Sequence, residues 1–181
     1  SYTWHLSYNQ TNLRTGVVHT AYTKRARVER PNRYLVERVS GHENGFNRTV
    51  FVNVTGEFTR LAVRNYTSYR FLPNRIDSSG VVETTSFVER TLGDTPSRLA
   101  TVRRDGDVYY RVATDEPPPA LTEDHGLPLR NFTATAYVTP LGFVRTLAAE
   151  YEVPTRRGRV RITVRIDYSA VGETTAPRPD W

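Results

Sequence analysis

From Gly158 to Tyr168 the chain alternates polar and apolar side chains without a break. Arg159, Arg161, Thr163, Arg165 and Asp167 fall on one side, and Val160, Ile162, Val164, Ile166 and Tyr168 on the other. A period of two is what a half-buried β-strand requires, because successive side chains point to opposite faces. The pattern recurs along the chain in SYTWHLSY (from Ser1), TGVVHTAYTKRARVE (from Thr15), RYLVERVS (from Arg33) and TVFVNVTGE (from Thr49). It returns in FTRLAVRNY (from Phe58), DVYYRVA (from Asp107), NFTATAYVT (from Asn131) and FVRTLAAEYEV (from Phe143). Turn chemistry separates these runs: RPN, HENG, VTGE, RDGD, TPLG and TRRGR. Asp105-Gly106 reads as a two-residue hairpin turn, and Pro140 with Gly142 suits a second one. Eight or nine strands joined mostly by hairpins predict a meander-like antiparallel sheet.

Two segments break the rhythm. Val81, Thr85, Val88 and Leu92 recur at three to four residues within Ser78–Leu92, which predicts one helix of about 14 residues with serines available as N-caps. Its stop is GDTPS. TDEPPPALTEDHGLP is a proline-rich connector with room for one helical turn, and TTAPRPDW is an extended tail ending on Trp181. The 181 residues show neither an internal repeat nor a dividing linker, so a single domain spanning 1–181 is expected.

With no cysteine, neither a disulfide framework nor a thiolate metal site is available. No run of about 20 apolar residues predicts a spanning helix. The chain starts inside a strand pattern and lacks methionine, and we read it as a processed fragment whose targeting or anchoring segment has been removed.

The net charge is +6, and all but one of the 25 basic residues are arginine, Lys24 being the exception. Acidic residues are interspersed with them, and the blocks of like charge expected of a nucleic-acid arm are missing. In GRVRITVRIDY the aromatic and cationic faces are separate, whereas nucleic-acid sheets stack bases beside their cations. The arginines therefore read as a solvated surface, with no nucleic-acid partner. An anionic-polymer site at Arg103, Arg104, Arg156, Arg157 and Arg159 is the residual electrostatic alternative.

Five Asn-x-Thr sequons occur, at Asn9, Asn47, Asn53, Asn65 and Asn131, where nine asparagines would give about one or two by chance. They point to the outer side of a membrane, with coincidence in a threonine-rich chain as the bland alternative. A glycan must face water, so Asn53 and Asn131 would turn Val50, Val52, Val54, Phe132, Ala134, Ala136 and Val138 inward. The same polarity leaves Phe51 on the wetter side.

Catalytic signatures are absent. His5, His19, His42 and His125 lack metal-ligand spacing and read as exposed loop histidines, with His42-Glu43 and Asp124-His125 as weak loop pairs. There is no Gly-x-Ser-x-Gly elbow, Ser-x-x-Lys, P-loop or dinucleotide fingerprint. Neither an enzyme nor a cofactor is expected.

The order SYTWHLSYNQT, RVERPNRYLVERVSG, VFVNVTGEFTRL resembles LolA-type and LprG-like lipoprotein carriers, in which an Arg-Pro-Asn-aromatic corner ends the second strand. NFTATAYVTPLGFVRTLAAEYEV through VRIDYSAVGETTAPRPDW is similar to an uncharacterised family of haloarchaeal exported lipoproteins. The resemblance implies a β-rich α+β fold: a strongly curved antiparallel sheet forming an open half-barrel, with one or two helices on its concave side. It also implies an extracytoplasmic protein at the cell surface, tethered to the membrane through a removed anchor and carrying a lipid or other hydrophobic ligand.

The residues fit that picture in one respect. The apolar strand faces need a common partner, and one short helix rarely covers eight strands. The sheet must curl on itself or leave a cavity, and Ala134, Ala136, Ala148 and Ala149 are small enough to leave room. The expected cavity residues are Trp4, Tyr8, Tyr34, Val36, Tyr110, Phe132, Val160, Ile162 and Val164. They would supply apolar contact, with tyrosine hydroxyls for a head group. The competing expectation is a cell-surface structural or interaction domain whose core is simply full.

Overall fold

The computed structural model describes residues 1–41, 45–75, 79–156 and 158–181, with the backbone alone for 79–83. His42, Glu43, Ser78 and Arg157, and the side chain of Val81, lie outside the described residues.

Among the described residues the chain forms eleven strands and two helices. The first six strands are β1 (Tyr2–Asn12), β2 (Val18–Arg30), β3 (Arg33–Ser40), β4 (Phe46–Asn53), β5 (Gly56–Val63) and β6 (Tyr66–Pro73). Helix α1 (Ser79–Leu92) follows, then β7 (Arg98–Arg104), β8 (Asp107–Thr114) and helix α2 (Pro119–His125). Strands β9 (Arg130–Val138), β10 (Val144–Thr155) and β11 (Gly158–Ser169) complete the chain. All belong to one open antiparallel sheet in the order β6-β5-β4-β3-β2-β1-β11-β10-β9-β8-β7. This is the antiparallel sheet expected from the alternation, in the β-rich α+β class that the resemblance implied.

The expected hairpins are present. Asp105 and Gly106 take φ of 54° and 89° between β7 and β8, the pair of positive angles a type I′ turn demands. Gly142 (φ 82°) closes the β9–β10 turn, in which the Thr139 amide donates to the Phe143 carbonyl at 2.8 Å. Gly56 is fixed by space: a Cβ there would sit 2.3 Å from the Leu72 carbonyl.

Eight or nine strands was an undercount. The unread strands are β6 and β7, the two edges of the sheet. Both are largely exposed along their length, so neither needs the apolar face that makes a strand visible. Each carries arginine, a charge that discourages pairing with another chain at an open edge.

Two compact units divide the chain. The first comprises 1–7, 20–84 and 168–181, the second 8–19 and 85–167, so β1 and β11 contribute residues to both.

In the first unit Trp4, Leu6, Val28, Tyr34 and Val52 are buried. Val28 opposes Tyr34 and Tyr34 opposes Val52 across neighbouring strands, so these three share a face. The opposite face is also dry. Leu35 and Phe51 form a cluster there with Ala176, and Phe58 packs against it. Phe51 is 1% exposed, which corrects the expectation that it lies on a wetter side. The cover is the C-terminal segment. Its Thr174 hydroxyl lies 3.1 Å from that of Thr3, Arg178 sits over the Phe58 ring, and Trp181 meets Tyr69 at 5.6 Å between centroids.

In the second unit β10 and β11 pair Leu147 with Ile166, Ala149 with Val164, Tyr151 with Ile162 and Val153 with Val160, all buried. The other face pairs Ala148 with Arg165, Glu150 with Thr163 and Glu152 with Arg161. There Arg159 bridges Glu152 at 2.8 Å and Arg161 bridges Glu150 at 3.4 Å. The arginines of GRVRITVRIDY are thus the outer face of a strand, Arg159 and Arg161 held by carboxylates of the next strand and Arg165 by Asp167 of its own.

Candidate functional site

A cleft of about 250 Å³ opens in the second unit, where two helices meet one face of the sheet. Tyr8 of β1, Ala149 and Tyr151 of β10 and Val164 of β11 line it on the strand side. Phe87, Arg90 and Thr91 of α1 and Leu121, Asp124 and His125 of α2 line it on the helix side. Ala149 and Val164 are register partners, so one small side chain and one branched one stand together.

Local sequence places the helical wall. Pro118 and Pro119 start α2 at positions where a missing N–H costs nothing. Gly126, in the left-handed region at φ 62°, ends it and donates its amide to the carbonyls of Thr122 and Glu123. Leu121 is buried, and a leucine so placed contributes about 1.5–3 kcal/mol toward holding the helix down. A salt bridge of 3.0 Å between Arg90 and Asp124 ties α1 to α2, and both ends are half exposed. Such pairs contribute at most about 1 kcal/mol, so this one orients the helices more than it stabilises them. Arg90 also lies 5.2 Å from the Phe87 ring centroid.

Polar groups gather at one wall. His125 Nε2 lies 3.3 Å from the Tyr151 hydroxyl, and the two rings meet edge to face at 5.5 Å. Burial lowers the His125 pKa below the ordinary histidine value, against a smaller raising effect of Asp124. The imidazole is therefore neutral at pH 7. Burial raises the Tyr8 pKa, so its hydroxyl also stays uncharged. The arrangement is a short apolar floor beside uncharged hydrogen-bonding groups, with one compensated ion pair. That chemistry suits the junction of an apolar chain and a polar head.

Of the expected cavity residues, Tyr8 and Val164 line this cleft. Ile162 opposes Tyr151 in register, and Phe132 packs against Tyr151 at 6.0 Å between centroids. Val160 lines a separate depression beside the β1–β2 turn. Trp4, Tyr34 and Val36 belong to the first unit. Trp4 and Tyr34 are fully buried there, and the Trp4 indole nitrogen has no partner among the described residues. Val36 is half-buried and Tyr110 is 38% exposed. Ala149 lines the cleft, whereas Ala148 faces outward beside Arg165.

Sequence reading placed helix α1 but gave the α2 segment room for only one turn, and it named no helical residue of the wall. His125 is not an exposed loop residue, because the proline-rich connector holds a full helix that half-buries its last side chain. The available signal was the Pro-Pro start, Leu121 and Gly126, a complete short-helix grammar.

Asn9, Asn47, Asn65 and Asn131 are exposed. Asn53 is half-buried, and its side-chain oxygen accepts from the Thr55 amide at 2.8 Å and the Thr55 hydroxyl at 2.6 Å.

No family model matches the sequence, and no curated protein matches it. Among solved structures the chain is similar to the lipoprotein LppX of Mycobacterium tuberculosis, at 11% identity and a TM-score of 0.45, over 98% of this chain and 88% of that one. It is also similar to a domain described as an outer-membrane lipoprotein-sorting protein from Vibrio parahaemolyticus, at 5% identity and a TM-score of 0.30, over 99% and 88%. At those scores the two likenesses assign no residue of the cleft a role.

Proposed function

We propose that the chain is an extracytoplasmic binding protein that holds a hydrophobic ligand, a lipid acyl chain above all, in the cleft between α1, α2 and β10–β11. One observation carries this reading: an apolar floor at Ala149 and Val164 is left open beneath two helices and is edged by the neutral Tyr8 and His125 and by the Tyr151 hydroxyl. At about 250 Å³ it lies just under the size of small-molecule pockets, roughly 300–1,000 Å³, so it takes part of an acyl chain and leaves the rest outside. The five sequons support an extracytoplasmic setting, and a single working domain tethered at the cell surface fits that setting.

Titration with a fluorescent fatty acid tests the reading. Saturable binding that Ala149→Trp abolishes, with the fold intact by circular dichroism, is the expected result. Unchanged binding by Ala149→Trp would remove the cleft from the account.

A second reading has its own observation. Tyr66, Tyr69 and Phe71 on the edge strand β6 are 66%, 61% and 48% exposed, an aromatic edge suited to a protein partner. A cell-surface interaction domain would use that edge, and Tyr66→Ser with Tyr69→Ser would then abolish self-association or partner capture without touching fatty-acid binding.

A further inference from the structure

At one end of the second unit the β1–β2 turn lies beside the β10–β11 hairpin, joined by the Leu13 amide donating to the Arg159 carbonyl at 3.0 Å. Asn12 shapes the turn, its side-chain oxygen accepting from the amides of Arg14 and Thr15 at 2.9 and 3.2 Å. Between the two lies a depression of about 580 Å³ whose lining includes Arg14, Val17, His19 and Arg156. None of its lining residues is a carboxylate. Arg14 and Arg156 are exposed and have no acidic partner among the described residues, unlike Arg159, Arg161 and Arg165. Two valines stand exposed here, Val17 at the end of the turn at 53% and Val18 at the start of β2 at 40%.

We propose that this tip is a docking surface for an anionic lipid bilayer. Unpaired guanidinium groups attract the negative leaflet, each arginine near such a surface contributing measurably. The adjacent valines then enter the headgroup boundary, where apolar side chains gain by leaving water. A nucleic acid or soluble anion would use the same cations but would leave Val17 and Val18 in water, and no Phe, Tyr or Trp ring lines the depression to stack a base. The inference is independent of the cleft, since nothing in it requires a bound ligand.

Co-sedimentation with vesicles of phosphatidylcholine containing a third phosphatidylglycerol tests it. The wild-type chain should pellet with these vesicles, release as salt rises, and ignore pure phosphatidylcholine. Arg14→Glu with Arg156→Glu should weaken partitioning by more than about tenfold. Arg103→Glu with Arg111→Glu, of identical net charge but on edge strand β7 and its neighbour β8 in the same unit, should keep it within about threefold. Val17→Ser with Val18→Ser should remove the fraction that resists high salt. Circular dichroism and melting of each variant exclude misfolding as the cause. Equal loss in the two charge variants would reduce the effect to overall basicity and overturn the proposal. Displacement from vesicles by stoichiometric oligonucleotide, or by inorganic phosphate at constant ionic strength, would likewise overturn it in favour of a soluble ligand. Ala149→Trp should pellet like wild type, so failure here and failure of the cleft reading are separable.

Discussion

The amide of Ala176 donates to a carboxylate oxygen of Glu29 at 3.1 Å, pinning the C-terminal segment across strand β2. Arg33 holds the same carboxylate at 3.0 Å. The Ala176 amide is the largest cause lowering the Glu29 pKa, with Arg33 and Arg30 adding to it. A depressed carboxylate pKa means that the contact stabilises the fold above the unfolded pKa and is lost as pH falls through the folded one. Acid should therefore release the segment before the sheet unfolds. Trp181 fluorescence should change at a higher pH than the far-ultraviolet dichroism, and Glu29→Gln should remove that early step. Coincident transitions in wild type and variant would contradict the role given to Glu29.

Phe51 provides a sharper test of the covered outer face. If that face is dry, Phe51→Ala costs about 3–5 kcal/mol, as for a phenylalanine deleted from a core. A half-wet strand position would cost within about 0.5 kcal/mol. Urea denaturation of the two proteins distinguishes these outcomes, and removing residues 174–181 should expose the same cluster and raise binding of an apolar dye.

His125 makes the cleft sensitive to pH. Its folded pKa is depressed by burial, so neutral imidazole contributes stability above the unfolded value of about 6.5 and that contribution fades as pH falls through the folded value. Protonation places a charge beside Tyr151 and Leu121 at the wall of the apolar floor. Affinity for a neutral apolar probe should hold from pH 8 to 7 and fall on acidification below pH 6. His125→Phe should flatten the profile. A flat wild-type profile, or a variant that still falls, would show that another group governs the response.

What the sequence made legible follows from burial on one side. GRVRITVRIDY pairs a dry face with a charged one, and its strand, polarity and outer arginines were readable from alternation alone. Strands β6 and β7 were not, because an edge strand exposed on both faces has no apolar period to betray it. Phe51 was misread for the opposite reason: both of its strand's faces are covered, and the second cover comes from residues more than a hundred positions away. For the cleft, Tyr8 and Val164 were visible as inward strand positions. Leu121 and His125 were hidden in a connector whose prolines mark a helix start as readily as a loop.

Native mass spectrometry of the protein purified from its own source, before and after organic extraction and beside Ala149→Trp, decides whether the cleft holds a lipid. The account predicts a stoichiometric lipid-sized adduct on the wild type that extraction removes and that Ala149→Trp never carries. A wild-type mass with no such adduct, or an equal adduct on Ala149→Trp, would contradict a lipid held over Ala149 and Val164.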